Sequence, residues 1–196
     1  MEHSGPLTLP LFPLGTHVLP GGRLPLRIFE PRYLRMVKEA CRSGLGFGMC
    51  MLNPRGAGAL HSMYAIGTWV QVIDFATLAD GLLGITVEGQ QCFRIEQLWQ
   101  EQDGLRRGQV RYLPEWPPLP LVEPQQPLQQ LLVRLYAEHE PLGRLYPTPL
   151  PADAAWLCQR WLELLPMQPA LKQRLALEDS PAPCLDSLQA WMSHHA

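Results

Sequence analysis

Leu24, Leu26 and Ile28 alternate with Pro25, Arg27 and Phe29. A period of two is the pattern of a strand, and residues 7–30 as a whole read as short strands broken by turns. Pro20-Gly21-Gly22 is one of those turns, because glycine accepts backbone angles that other residues avoid. At Pro31 the period lengthens. Proline suits a first helical turn, where its missing N–H is not needed. Leu34, Val37 and Cys41 recur at i, i+3 and i+7 as the expected buried stripe of a helix running to about Ser43. Arg32, Arg35, Glu39 and Arg42 fall on another face, and Gly44 ends the helix.

Strand patterns resume after it. Residues 46–52 are apolar and glycine-rich, and residues 68–74 are mostly β-branched or aromatic. Asp80-Gly81 and Asp103-Gly104 are hairpin turns between apolar runs. Ile85 and Val87 alternate with Thr86 and Glu88, Phe93 and Ile95 alternate with Arg94 and Glu96, and a last strand covers 107–113. Many short strands at this spacing predict a barrel or sandwich. Residues 114–127 are rich in proline and form a semi-rigid connector. Helical spacing follows: Leu128, Leu131, Leu132, Leu135 and Tyr136, then Leu157, Cys158, Trp161 and Leu165. Pro169 opens a third helix over 169–178. Ser180-Pro181 starts a fourth with Leu185, Leu188 and Met192 on one face. The expected fold class is therefore α+β. A β-rich subdomain of about six strands with one helix spans 1–115, a connector spans 116–127, and a bundle of about four helices spans 128–196.

Composition bears this out and narrows the chemistry. The 196 residues are 46% hydrophobic, enough for one large domain or two small ones. The 21 prolines are dispersed, which favours defined turns over a disordered tail. The net charge of −2 gives no global pull toward nucleic acid or anionic lipid. It is uneven, however: residues 1–60 hold seven Lys or Arg against three acids, and residues 61–196 hold nine against fifteen. The five cysteines include no CxxC pair, which argues against a zinc ribbon or a thioredoxin-type site. Residues 1–20 lack a basic start followed by a continuous apolar stretch, and no apolar run reaches the roughly 20 residues needed to span a bilayer. A reducing cytoplasm with free thiols is expected, with no membrane partner.

Four segments carry a family resemblance. They are LPLFPLG at 9–15 with VLPGGRLPLRIFEPRY at 18–33; Gly67-Thr68 with Val70, Val72 and Asp74; DGLLGITVEG at 80–89 with FRI at 93–95; and Leu165-Pro166, Lys172-Gln173, Asp179 and Leu185. In this order they resemble the substrate-binding domain of ATP-dependent Lon proteases, which also occurs as a free-standing protein. The similarity covers most of residues 7–190. Cys92 and Cys184 depart from it, standing where members often carry Arg. The resemblance implies a six-stranded PUA-like pseudo-barrel followed by a helical bundle. It also implies a role in selecting unfolded or tagged protein substrates, with the ATPase and the Ser-Lys peptidase lying in other domains.

Nothing in the sequence supplies those activities. A P-loop needs G-x-x-x-x-G-K-[ST] to cradle phosphates, and neither Lys38 nor Lys172 follows a glycine. A Ser-Lys dyad needs a buried lysine, and both lysines are expected on polar helix positions. Cys41, Cys158 and Cys184 are expected in helix cores. That leaves Cys50 and Cys92 with His17, His61 or His139, which read as buried thiols and surface imidazoles. His3, His194 and His195 lie at the expected frayed ends. Glu178-Asp179 favours a loop and the following helix N-terminus. No catalytic residue, cofactor or metal site is expected.

Two binding functions remain. A peptide-binding module would dock exposed apolar segments of unfolded chains, along a barrel edge strand or in a cleft near Trp116 with Tyr112 beside it. A separate Lon-type protease is then a candidate partner. The alternative is RNA or phosphate binding through Arg23, Arg27, Arg32 and Arg35, which lacks the interleaved aromatics usual in RNA modules and is the less favoured partner class. Trp156, Trp161 and Trp191 follow helical spacing and are expected in the core.

Overall fold

The structure is a computed structural model, and it describes residues 7–56, 62–146 and 149–195, without the side chains of residues 124 and 193–195. The chain divides into two compact units, residues 1–113 and 114–196. The fold class is α+β, as the sequence pattern predicts.

The first unit holds β1 (Leu7–Leu14), β2 (Arg23–Ile28), α1 (Pro31–Ser43), β3 (Phe47–Leu52), β4 (Met63–Thr77), β5 (Leu83–Gln100) and β6 (Arg106–Tyr112). The strand order is β2-β5-β4-β3-β1-β6, with β5 also pairing β6. That last pairing closes β5, β4, β3, β1 and β6 into a barrel and leaves β2 as the edge strand. Pro25 is tolerated on β2 for that reason: an edge strand has one side with no ladder to donate to. β1 and β3 run parallel and all other pairs run antiparallel.

The two alternating patterns at 85–87 and 93–95 belong to one 18-residue strand, β5, rather than to two. Its first half pairs β2 and its second half pairs β6. Where it changes partner, Gly89 admits the Leu19 carbonyl, which a methyl there would meet at 2.1 Å. The N–H of Gly89 donates to Gly22 O, and that of Gly21 donates to Gly89 O, each at 2.8 Å. Phe93 then turns its ring, fully buried, onto Gly67 of β4 and Gly48 of β3. A methyl at either glycine would lie 2.7 Å from that ring.

Two apolar cores result. One is the barrel interior, where Leu9, Leu11, Cys50, Met63, Phe93 and Val110 meet. The other lies under α1, where Met36, Val37 and Ala40 pack on Phe47, Val70, Ile85 and Val87. The buried stripe of α1 is Tyr33, Met36, Val37 and Ala40. It is shifted from the stripe the spacing suggests: Leu34 is 41% exposed and Cys41 is also exposed. Tyr33 decides the phase, because its ring meets Phe12 edge-on at 4.5 Å and rotates the helix toward it. Gly44 ends α1 in the left-handed conformation, φ 69°, its N–H bonding Ala40 O.

The second unit opens with an extended stretch and a 3-10 turn (Glu123–Gln125). It continues with α2 (Gln126–Glu138), α3 (Glu140–Gly143), α4 (Ala154–Leu164), α5 (Pro169–Leu175) and α6 (Ala182–His195). Asp153 organises its start. One carboxylate oxygen caps α4 by accepting from Trp156 N, and the other accepts from Leu119 N. The core gathers Leu128, Leu132, Leu157, Cys158, Trp161, Leu162 and Leu188. Leu131, expected inside, is 40% exposed, and the short α3 has no counterpart in the hydrophobic spacing. Lys172 also departs from expectation. It is buried on the short α5, its Nζ donates to Glu163 O at 3.4 Å, and burial pushes its pKa down.

The Phe93 seat yields a test. Replacing Gly67 with Ala puts a methyl against the ring, the Met49 carbonyl oxygen at 2.7 Å and Cys50 Sγ at 2.8 Å. Two of those neighbours are held by the sheet, so overpacking costs about 1–3 kcal/mol. Urea unfolding of Gly67→Ala is expected to show that loss, whereas Gly15→Ala, with open space around it, is expected to be nearly neutral.

Candidate functional site

The second unit contains an apolar groove of about 670 Å³ along the outer side of α2. It arises from the helical period. Leu128, Leu132 and Tyr136 turn inward, which leaves Val133 on the outside at 48% exposure. The chain then folds back through α3. Gly143 permits the close return, since a methyl there would lie 2.3 Å from the Tyr136 carbonyl oxygen. This brings Tyr146 flat onto Tyr136, with ring centres 5.0 Å apart and planes 5° apart. Trp156 closes edge-on against Tyr146 at 5.7 Å. The fully buried Arg160 guanidinium lies over both Trp156 and Tyr146, at 5.4 and 5.8 Å, and bonds the Glu163 carboxylate at 2.9 Å.

The aromatic floor is thus held rigidly. Burial, reinforced by Tyr146, pushes the Tyr136 phenol well above its ordinary pKa, so it stays a neutral hydrogen-bonding group. Gln129, Glu140 and Arg144 edge the groove, and Glu140 and Arg144 are ion-paired to each other. Among the described residues the lining contains no Ser, Cys, His or Lys, the side chains that would start nucleophilic chemistry. An apolar floor, a stacked aromatic pair and a mixed polar rim are suited to holding a ligand.

The first unit has a smaller groove of about 330 Å³ between the end of α1 and β4, lined by Cys41, Gly46, Val72 and Phe75 among others. Phe75 is 54% exposed there.

Trp116 and Tyr112 fall in different units. Trp116 is half-buried and its indole N–H donates to Glu178 O at 2.6 Å. Tyr112 is half-buried on β6, opposite Phe93 and tilted against Trp69 at 5.7 Å, and burial raises its pKa. Trp161 is buried as expected, and Trp156 serves the aromatic cluster.

Each of the four arginines has a carboxylate partner. Arg23 bonds Glu88 at 2.6 Å, Arg27 pairs with Asp80, and Arg32 bonds Glu30 at 2.6 Å and also donates to Gly104 O. Arg35 reaches Glu39 and Asp103, each at 2.7 Å, and Glu101. Arg107 joins the same Glu39 and Glu101 from β6. The basic face of α1 is thus the inner half of a clamp on the β5–β6 hairpin. A phosphate would have to displace these carboxylates.

Among the described residues the thiols and imidazoles form no catalytic set. Burial pushes Cys50 up to about 12, which makes it a poor nucleophile. Cys92 is half-buried beside Thr68, and His17 is buried rather than on the surface. His139 lies in the second unit, whereas His3 and His61 lie outside the described residues, as do the side chains of His194 and His195. Among the described residues no group of three His, Cys, Asp or Glu could hold a metal, and no helix is long and apolar enough to cross a membrane.

A pseudo-barrel followed in sequence by a helical unit is the fold of solved Lon N-terminal domains. The chain belongs to the ATP-dependent protease La (LON) substrate-binding domain family, whose model matches residues 8–193. It is similar to the crystal structure of a Lon N-terminal domain protein from Xanthomonas campestris: 32% identity, TM-score 0.73, 94% of this chain and 98% of that one. The N-terminal domain of the Mycobacterium avium complex Lon protease shares the fold at 16% identity and TM-score 0.63, over 97% of this chain and 100% of that one. Over 114 residues the chain is 27% identical to the Lon protease of Parabacteroides distasonis, covering 57% of this chain and 14% of that protein. Protein cereblon of Danio rerio is 26% identical over 111 residues, 55% of this chain and 26% of that protein.

The Arg35 clamp predicts a pH dependence. For Glu39 and Glu101, partial burial acts to raise the pKa, but bonds from Arg35 and Arg107 win and hold both below the ordinary carboxylate range. Asp103 is lowered first by the Leu105 N–H and then by Arg35. Depressed native values mean that the clamp's stabilisation is present above the unfolded values of about 4 and is lost as pH falls through the native ones. Arg35→Ala is expected to cost about 1 kcal/mol in urea unfolding near neutral pH, a screened and largely exposed network. The difference from the parent should shrink as pH falls through those lowered native values.

Proposed function

We propose that this chain is a non-catalytic module that binds exposed apolar segments of other protein chains, and that the groove along α2 seats them. The groove's build supports this most directly. It offers a rigid Tyr136–Tyr146 floor for one or two apolar side chains, an exposed Val133 wall, and Gln129 and Arg144 as hydrogen-bond donors for an extended backbone. Aromatic and arginine side chains are the usual anchors of such contacts. Membership of the substrate-binding family points the same way. Trp116 and Tyr112 are proposed as further aromatic contacts, each on its own unit.

Strand addition is the less suitable mode. β2, the edge strand, is only six residues long, carries Pro25, and has Arg23 and Arg27 tied into ion pairs, all features that discourage pairing with another chain. ATP hydrolysis and peptide cleavage are not assigned to this chain. It spans 14% of the Parabacteroides Lon protease, it carries no P-loop, and a separate Lon-type protease is the proposed consumer of what it binds.

Fluorescence anisotropy with a reduced, alkylated, permanently unfolded protein tests this at low and high salt. Binding is expected, with little salt dependence. Val133→Asp, a change at an exposed wall, should weaken it about tenfold, or ~1.4 kcal/mol. Trp116→Ala should weaken it less. Absence of binding would overturn the proposal. A steep fall with salt would instead point to phosphate-type contacts, which release counterions.

A further inference from the structure

We propose that Cys158 and Cys184 form a redox pair that closes to a disulfide joining α4 to α6. Each is fully buried, and they come from different helices of the same unit. The Cys184 side chain acts on the Cys158 thiol from within the same core. Cys158 Sγ also lies 3.8 Å from Pro181 O, the carbonyl that accepts from Leu185 N at the start of α6. Cys158 is therefore fixed against the first turn of α6, the turn that carries Cys184. Closing the bridge makes a sulfur–sulfur bond of about 2.05 Å between helices that are already packed.

The chemistry balances with a two-electron oxidant such as hydrogen peroxide. One thiol attacks the peroxide to give a sulfenic acid and water. The second displaces the sulfenic oxygen as a further water, leaving the S–S bond. Two thiols thus lose two electrons and two protons while peroxide becomes two waters.

Burial governs when this happens. Contact with Cys184, together with desolvation, holds the Cys158 thiol protonated far above its ordinary pKa. The thiolate is the reactive form, so the pair is slow to react in the closed bundle and reacts when α6 opens. Oxidation then staples α6 in place, closing residues 159–183 into a loop that restricts the unfolded chain. Cys41, which is exposed, serves as an internal reference for oxidant dose.

The test treats the full chain with hydrogen peroxide, then denatures it, alkylates free thiols and maps the peptides by mass spectrometry without reduction. The expected result is a Cys158–Cys184 linked peptide. It should be accompanied by a rise of several degrees in the thermal midpoint that dithiothreitol reverses. The midpoint of Cys184→Ala should not move on oxidation, and Cys41→Ala should still form the bridge. Recovery of both cysteines as free thiols after treatment just below the thermal midpoint, where α6 opens, with Cys41 fully oxidised, would overturn the proposal. So would a map in which Cys158 is linked to any other cysteine.

Discussion

The barrel depends on the seat of Phe93. β5 must leave β2 and take up β6 while remaining paired to β4, and the ring lands where the change is complete. It fits because β3 and β4 both present a glycine beneath it. The same strand needs Gly89 just before, where the Leu19 carbonyl crosses. With β5 fixed, the β5–β6 hairpin is placed for Arg35 and Arg107 to bind Glu39 and Glu101. That ionic lattice in turn holds the outer face of α1 over the second core. Apolar packing fixes the frame, and the exposed charges add modest stability and orientation.

This division of labour bears on function. The first 60 residues carry a net positive charge, and a sequence view makes them an anion surface. In the fold those guanidinium groups face carboxylates brought in from β5, from the loop at Asp80 and from the loop at Asp103. Such pairs use up the basic charge locally. The helical unit, the more acidic half by sequence, instead holds the larger apolar groove, with a buried Arg160 bracing its aromatic floor.

Much of the fold was legible from period and punctuation. Asp80-Gly81 and Asp103-Gly104 are hairpin turns whose glycines take φ of 81° and 84°. Pro31 and Gly44 bound α1 as local chemistry demands. The phase of α1 was not legible. Leu34 and Cys41 have the right spacing, but Tyr33 reaches Phe12 on a strand far away in sequence, and that contact sets the rotation. Lys172 was misplaced for a related reason: α5 is short enough that its sides are covered by the neighbouring helices rather than by water. The α2 groove was hidden because it requires the chain reversal at Gly143 and the stacking of Tyr136 on Tyr146, residues ten apart that do not share one helix. A signal did exist: Tyr136, Tyr146 and Trp156 recur at equal intervals across a stretch with proline and glycine breaks. The burial of Cys158 and Cys184 was visible, since both sit on helical core faces, yet nothing in the spacing paired them.

The central claim is that client segments lie along α2. Hydrogen exchange read by mass spectrometry, with and without a saturating unfolded model protein, tests it most directly. Protection should rise in peptides covering 126–146 and stay unchanged across β2 and α1, because a docked segment shields only the backbone beneath it. Protection concentrated on β2 or on the Arg-rich face of α1, with 126–146 unchanged, would contradict the account.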